Sequence, residues 1–391
     1  MFALSGLGFA GSNLVLAGAM PAADYGIFAL ALALVQIGVP VGTAGADILV
    51  NRHRLSPSRS LLSRAVASAL VVAAALCWLA HGFYGLDFRI VSLLMVATVF
   101  GPINWLGAAY FQSRQKFRES LWLSQNQNLV LVIAAGVVVA TSAQEAWVPL
   151  LIVAIGYALS TLAGFAALSR SPDRHDGPMP SFWEGLAAIG ASGAMFVMVQ
   201  LDRLAIPSLL DVESLATFAV LAAVIGAPFR VLQLASTFVM VPKIRAAATP
   251  EHRRAVLLGE SRSILAATIL AGAVMWLLAP PVVSFFAGDR YALGPTLVLA
   301  AVVGGVAKVA GEIVAASVTA VGTKTHLVWL TAISWVSVGA GVLGAIIGAR
   351  WHLTGIVFGV AAGWGFRAIA VALLLPGSLS SPAAAVQTGD A

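Results

Sequence analysis

Twelve apolar stretches, each roughly 20 residues long, follow one another along this chain with only short connections between them. They run over 1–20, 25–49, 62–83, 89–111, 121–140, 147–168, 183–209, 215–241, 262–286, 293–319, 326–349 and 354–375. A helix of about 20 apolar residues is what the hydrocarbon layer of a bilayer demands, since backbone polar groups find no water there and must bond within the segment. The pattern predicts an all-α polytopic membrane protein with twelve transmembrane helices. Charge agrees: only 10% of residues are charged and 60% are hydrophobic, against about 25% charged in soluble domains. No loop is long enough to hold a folded extramembrane domain. No cleavable signal pattern precedes the first stretch, which reads as a span.

Basic residues set the orientation. With the N-terminus inside, the cytoplasmic connections hold Arg52, Arg54, Arg59, Arg64, Arg114, Lys116, Arg118, Arg170, Arg174, Lys243, Arg245, Arg253, Arg254, Arg262 and Lys324. The opposite side holds only Arg89, Arg290 and Arg350. Both termini are therefore expected in the cytoplasm. This asymmetry accounts for most of the +6 net charge, so the basic balance needs no nucleic-acid partner.

The chain also repeats itself. DYGIFALALALV (24–35) aligns with SLATFAVLAAVI (214–225), and RLSPSR (54–59) with AATPEH (247–252). Ser56-Pro57 and Thr249-Pro250 each read as a cap and first turn of a short helix on the cytoplasmic surface. Lys116 and Lys324 close the fourth helix of each half. Six spans separate the copies, so the halves share one orientation. They are expected to form two six-helix bundles related by a pseudo-two-fold axis along the membrane normal. The expected domains are an N-terminal bundle (1–168), a polar, Pro-rich cytoplasmic linker (169–181), a C-terminal bundle (182–377) and a disordered cytoplasmic tail (378–391). Ser181 and Glu184 fit a capping box opening the seventh span.

Several segments resemble a known family. PAADYGIFALALALVQI after the first span, LDRLAIPSLLDVESLATFAVLAAVI across spans 7 and 8, VP at 241–242 and GDRYALGPTLVLAA (288–301) are similar to Wzx-type polysaccharide (O-antigen) flippases. That family belongs to the multidrug/oligosaccharidyl-lipid/polysaccharide exporter superfamily, with the multidrug and toxin extruders and the lipid II flippases. The chain departs from it by starting inside span 1, without the short basic amphipathic stretch such proteins usually carry. The resemblance implies a flippase moving lipid-linked oligosaccharide from the cytoplasmic to the periplasmic leaflet of a bacterial inner membrane. Membrane lipids and polysaccharide-assembly proteins are the other partners it implies.

The charges inside the spans are the residues to weigh. They are Asp202, Arg203, Arg230, Lys308, Glu312 and Arg367, with Asp47 near a helix end beside Arg52. A charged side chain at mid-bilayer costs about 2.5–3.5 kcal/mol on insertion scales, so each should face the bundle interior, an aqueous cleft or a partner. Lys308 and Glu312, one turn apart, can pair on one face. Gln200 and Arg203 share a face, as do Arg230, Gln233 and Thr237. The repeat places Arg203 opposite Asn13, a lone polar residue in span 1. Gln36 and Asn104 are weaker candidates. One reading makes Arg203 and Arg230 cavity-lining groups for an anionic headgroup, with Asn13, Gln200, Gln233, Lys308 and Arg367 around them. Asp202 and Glu312 then serve charge pairing or ion coupling. A guanidinium suits phosphate because its planar fork donates two parallel hydrogen bonds. The other reading is that these charges only tie helices together, which suits Lys308–Glu312 best and fits Arg367 beside Trp364 equally well.

Other chemistry finds little support. The six histidines lie in loops or at helix ends with no ligand spacing, and Cys77 stands alone in an apolar run. No metal, cofactor or enzymatic activity is expected. No GxxxxGK loop is present, so transport would proceed by alternating access without direct ATP use. The alternatives are a multidrug or organic-cation antiporter, which would want acids to dominate the cleft, and a membrane enzyme of polysaccharide synthesis, which would want a large external loop.

Overall fold

The computed structural model describes residues 2–169, 182–247, 249–291 and 293–380. The expected linker from 170 on, Ser181 of the expected capping box, and the tail beyond 380 lie outside the described residues. Sixteen α-helices follow in order: α1 (Phe2–Ala19), α2 (Ala22–Gly42), α3 (Ala46–His53), α4 (Arg59–Trp78), α5 (Phe88–Ser113), α6 (Phe117–Ser124), α7 (Asn126–Thr141), α8 (Trp147–Ser169), α9 (Phe182–Leu209), α10 (Val212–Ala235), α11 (Val241–Ala246), α12 (Pro250–Ala287), α13 (Pro295–Val321), α14 (Lys324–Gly348), α15 (His352–Ala372) and α16 (Leu375–Ser380). No strand occurs among the described residues. Each of the twelve apolar stretches is largely helical over its described residues. By length and composition, eight helical stretches among the described residues can cross a membrane, or nine when α6 and α7, bent by 47°, count as one span. One of the eight, Thr325–Ala372, holds both α14 and α15. Twelve crossings in two bundles exceed that count and belong to the proposal below.

Several helix ends differ from expectation. The 25–49 stretch stops at Gly42 and re-enters helix at Ala46, with Gly45 left-handed at φ 76° between them. There Thr43 Oγ1 lies 2.7 Å from Asp47 Oδ1. The cap of α4 is Ser58, whose hydroxyl accepts from Leu61 N at 3.2 Å, not Ser56 before Pro57. Thr249-Pro250 does open a helix, with Thr249 Oγ1 accepting from His252 N at 3.2 Å. That helix is not a short surface piece. It runs unbroken for 38 residues into the membrane stretch. Lys116 and Lys324 precede α6 and open α14, since α5 and α13 end at Ser113 and Val321. The repeat is echoed in helix ends: α1 closes at Ala19 and α9 at Leu209, while α2 opens at Ala22 and α10 at Val212.

Packing groups the chain into two compact units, Met1–Ala223 with Ser284–Tyr291, and Val224–Val283 with Ala292–Ala391. In the first unit α2 is buried almost all round, as its uniformly apolar sequence requires. Leu61, Ala65, Ala69 and Ala73 recur every fourth residue as the buried stripe of α4, and small side chains let helices approach closely in lipid. A Cβ at Gly42 would lie 2.6 Å from Pro102 Cγ of α5. The opposite face of α4 presents Leu70, Val71 and Trp78, all exposed, as a lipid-facing helix does. In the second unit α14 and α15 touch backbone to backbone, Gly344 against Gly359 and Gly348 against Gly355.

Candidate functional site

In the first unit, α1, α2 and α9 bring together a buried set of polar side chains. Gln200 Nε2 donates to Gln36 Oε1 at 2.6 Å, and Arg203 Nη1 donates to Gln200 Oε1 at 3.3 Å. Tyr25 donates to Asn13 Oδ1 at 3.4 Å, and Asn13 Nδ2 donates to the Phe9 carbonyl at 2.8 Å. Tyr25 and Asp202 are the groups in electrostatic reach of the Arg203 guanidinium. Asn13, Gln200 and Asp202 are buried and Arg203 is half-buried.

Local sequence explains why these groups meet. Gln200 and Arg203 lie three residues apart, on one face of α9. Pro207, four residues beyond Arg203, has no N–H, so the Arg203 carbonyl lacks its usual intrahelical donor. Tyr84, just outside the α4 span, donates to the next carbonyl, Leu204, at 2.9 Å. Burial pushes the Tyr84 phenol up to about 12. Sequence reasoning linked Asn13 to Arg203 and ranked Gln36 low; the structure joins Gln36 directly to Gln200. Tyr25 was missed as a polar group. Its signal was present: one hydroxyl in the otherwise apolar start of α2, flanked by Asp24.

The second unit holds a different cluster. Arg367 of α15 donates from Nη1 to Glu312 Oε1 of α13 and from Nε to Ser334 Oγ of α14, both at 3.3 Å. Its guanidinium carbon lies 5.7 Å from the centroid of the Trp364 ring, and Lys308 Nζ lies 5.6 Å from that ring. Arg367 is 5% exposed. The carboxylate that helical spacing offered to Lys308 is thus engaged by Arg367 from another helix, and an aromatic face serves both cations. Arg367 belongs to this closed cluster. On α10, Arg230 is exposed and Gln233 half-buried, and the side chain of Thr237 lies outside the described ones.

No group of three or more His, Cys, Asp or Glu that could hold a metal occurs among the described residues. Two polar arrangements therefore stand out. One is a guanidinium oriented by neutral amides. The other is an ion pair sealed against a tryptophan.

No protein-family profile matches the sequence, and no curated protein matches it. Solved structures do. An inward-facing multidrug resistance MATE family transporter of the MOP superfamily aligns with TM-score 0.70 at 14% identity, covering 96% of this chain and 94% of that one. Lipid II flippase MurJ, in an inward closed conformation, aligns with TM-score 0.73 at 12% identity, covering 95% and 86%. An outward-facing MATE family transporter of the same superfamily aligns with TM-score 0.54 at 14% identity, covering 97% and 93%. Along nearly its whole length, this chain has the fold that those transporter and flippase structures share.

Proposed function

We propose that this protein is a flippase of the Wzx type, carrying polyprenyl-pyrophosphate-linked oligosaccharide from the cytoplasmic to the periplasmic leaflet of a bacterial inner membrane. It crosses the membrane twelve times as two six-helix bundles, with both termini inside. The observation that carries the reading is Arg203: a guanidinium in the last third of an apolar helix, whose only hydrogen-bond acceptor among the described residues is the neutral Gln200 amide. Its remaining N–H donors suit the oxygens of a phosphate. Arg230, with Gln233 below it, supplies a second cation, and Asn13, Gln36 and Tyr25 supply hydrogen bonds to polar headgroup atoms. Lys308 adds a further cation, while the Arg367 charge is balanced by Glu312, and Asp202 is a second carboxylate. The MATE and MurJ fold supports membrane transport, and the MurJ likeness supports a lipid-linked cargo.

Alternating access carries the headgroup through the polar interior while the lipid tail stays in the bilayer. An inside-negative potential favours outward movement of an anion by about 2.3 kcal/mol per charge per 100 mV. The rival reading, efflux of organic cations, draws on the MATE likeness and on buried Asp202. Proteoliposomes loaded with a fluorescent polyprenyl-pyrophosphate glycan separate the two. Flipping that is lost in Arg203→Ala and Arg230→Ala, with protein still inserted, supports the flippase. Full flipping in both single variants and the double variant overturns it, and accumulation of an organic cation instead establishes the rival.

A further inference from the structure

The connection between α12 and α13 is fastened to the end of α1. Residues 284–291 group with the first unit, although the helices they join lie mostly in the second. A helix leaves its last carbonyls without intrahelical partners. At the end of α1, Met20 N closes on Leu16 O at 2.9 Å. Two further acceptors there, the Ala17 and Met20 carbonyls, are taken by the distant segment. Arg290 Nη1 donates to the Ala17 carbonyl at 3.4 Å and also to the Met20 carbonyl, and Tyr291 donates to the Ala17 carbonyl at 3.2 Å.

Backbone contact reinforces this. A Cβ at Gly18 would collide with the carbonyl oxygen of Phe286, so only glycine admits the segment this close. Met20, Ala287 and Tyr291 are buried by the contact region, while Arg290 keeps an exposed flank. Gly288, left-handed at φ 64°, ends α12 and turns the chain so that Arg290 and Tyr291 both point back to α1. A cation at the negative end of a helix dipole adds attraction. All three hydrogen bonds go to main-chain carbonyls at a helix end, and Arg290 itself is exposed. Water can therefore replace them when the segment leaves, and no buried charge is stranded.

We infer that Arg290 and Tyr291 form a releasable latch, which fastens the α12–α13 connection to α1 on the face opposite the basic loops and must open once per transport cycle. This rests on the transporter reading but not on the identity of the cargo. The latch strength sets how often the open arrangement is visited, so weakening it shifts a population.

The test uses the full chain with Cys77→Ser, spin labels at Ala23→Cys and Asp289→Cys, and pulsed electron resonance distances in liposomes without cargo. The parent should show one dominant short distance. Arg290→Ala should raise the longer-distance fraction at least about threefold, with Tyr291→Phe giving a smaller rise and Arg290→Lys falling between. Should Arg290→Ala fail to insert, the two conservative variants carry the test. Unchanged distance distributions in Arg290→Lys combined with Tyr291→Phe overturn the latch. Because no cargo is present, that result leaves the flippase proposal standing, and a failed glycan assay leaves the latch standing.

Discussion

Arg367 and Glu312, 55 residues apart in sequence, meet at 3.3 Å between α15 and α13, with the arginine side chain 6% exposed and the glutamate 18%. Neither sits at a spacing that announces the other. Breaking a buried pair from one side strands a charge, which typically destabilises by about 3–5 kcal/mol. Arg367→Met and Glu312→Gln are each expected to lower the melting temperature of detergent-solubilised protein markedly. The double variant should be milder than the sum of the singles. Additive losses in that thermal-shift cycle would show that the two groups do not depend on each other.

Gly348 and Gly355 meet through their backbones, so any side chain at either position must push α14 from α15. Gly348→Leu should cost about 1–3 kcal/mol, the usual range for overpacking a tight contact. Gly136→Ala, which faces open space on α7, serves as the control and should be neutral or mildly stabilising. Chemical denaturation of both variants in the same detergent decides it.

Tyr84 provides a pH signature. Its phenol has an ordinary value near 10 and is pushed up to about 12 by burial. The folded state thus holds this proton more tightly than the unfolded one. The associated stability is complete below pH 10 and is lost as pH rises from 10 through 12. Tyr84→Phe should lose roughly 1 kcal/mol at neutral pH, through the hydrogen bond to Leu204, and flatten the alkaline fall. Melting curves at pH 8 and pH 11 for both proteins check the sign.

Gln200 orients Arg203 without neutralising it. Gln200→Leu is expected to lower glycan flipping roughly tenfold, equivalent to about 1.4 kcal/mol of lost positioning. Gln200→Glu should be worse, because a carboxylate would pair with the guanidinium that the phosphate needs. Equal flipping in Gln200→Glu and wild type, at matched insertion, would remove Arg203 from the cargo path.

Much of the helical layout was legible because lipid imposes one rule on every crossing: an apolar run long enough to bond its own backbone. The stretch 89–111 lies within α5, and 147–168 within α8. Boundaries failed where that rule is silent. Residues 251–261, after the opening Pro250, lack any breaker stronger than Gly259, so the surface segment and the span fuse into α12. The 121–140 stretch bends at Gln125, within the polar run Gln125-Asn126-Gln127-Asn128, which a hydropathy reading averages away. Candidate residues were legible because a charge in an apolar run stands out; their partners were not. Lys308 and Glu312 stand at pairing distance by local spacing, and only tertiary packing brings Arg367 to Glu312. Arg290 read as a loop cation, since nothing local shows that its acceptors are carbonyls of α1.

At 1.5 Å per residue, the 38 residues of α12 extend about 57 Å, nearly twice the roughly 30 Å of hydrocarbon. Pro280 and Pro281 each lack an N–H, so the helix yields most easily just before its fastened end. Pivoting there by about 10° would sweep the opposite tip through roughly 8 Å. α12 is in effect an oar, with its rowlock at the end fastened to α1 and its blade at the end that carries Arg253, Arg254 and Arg262.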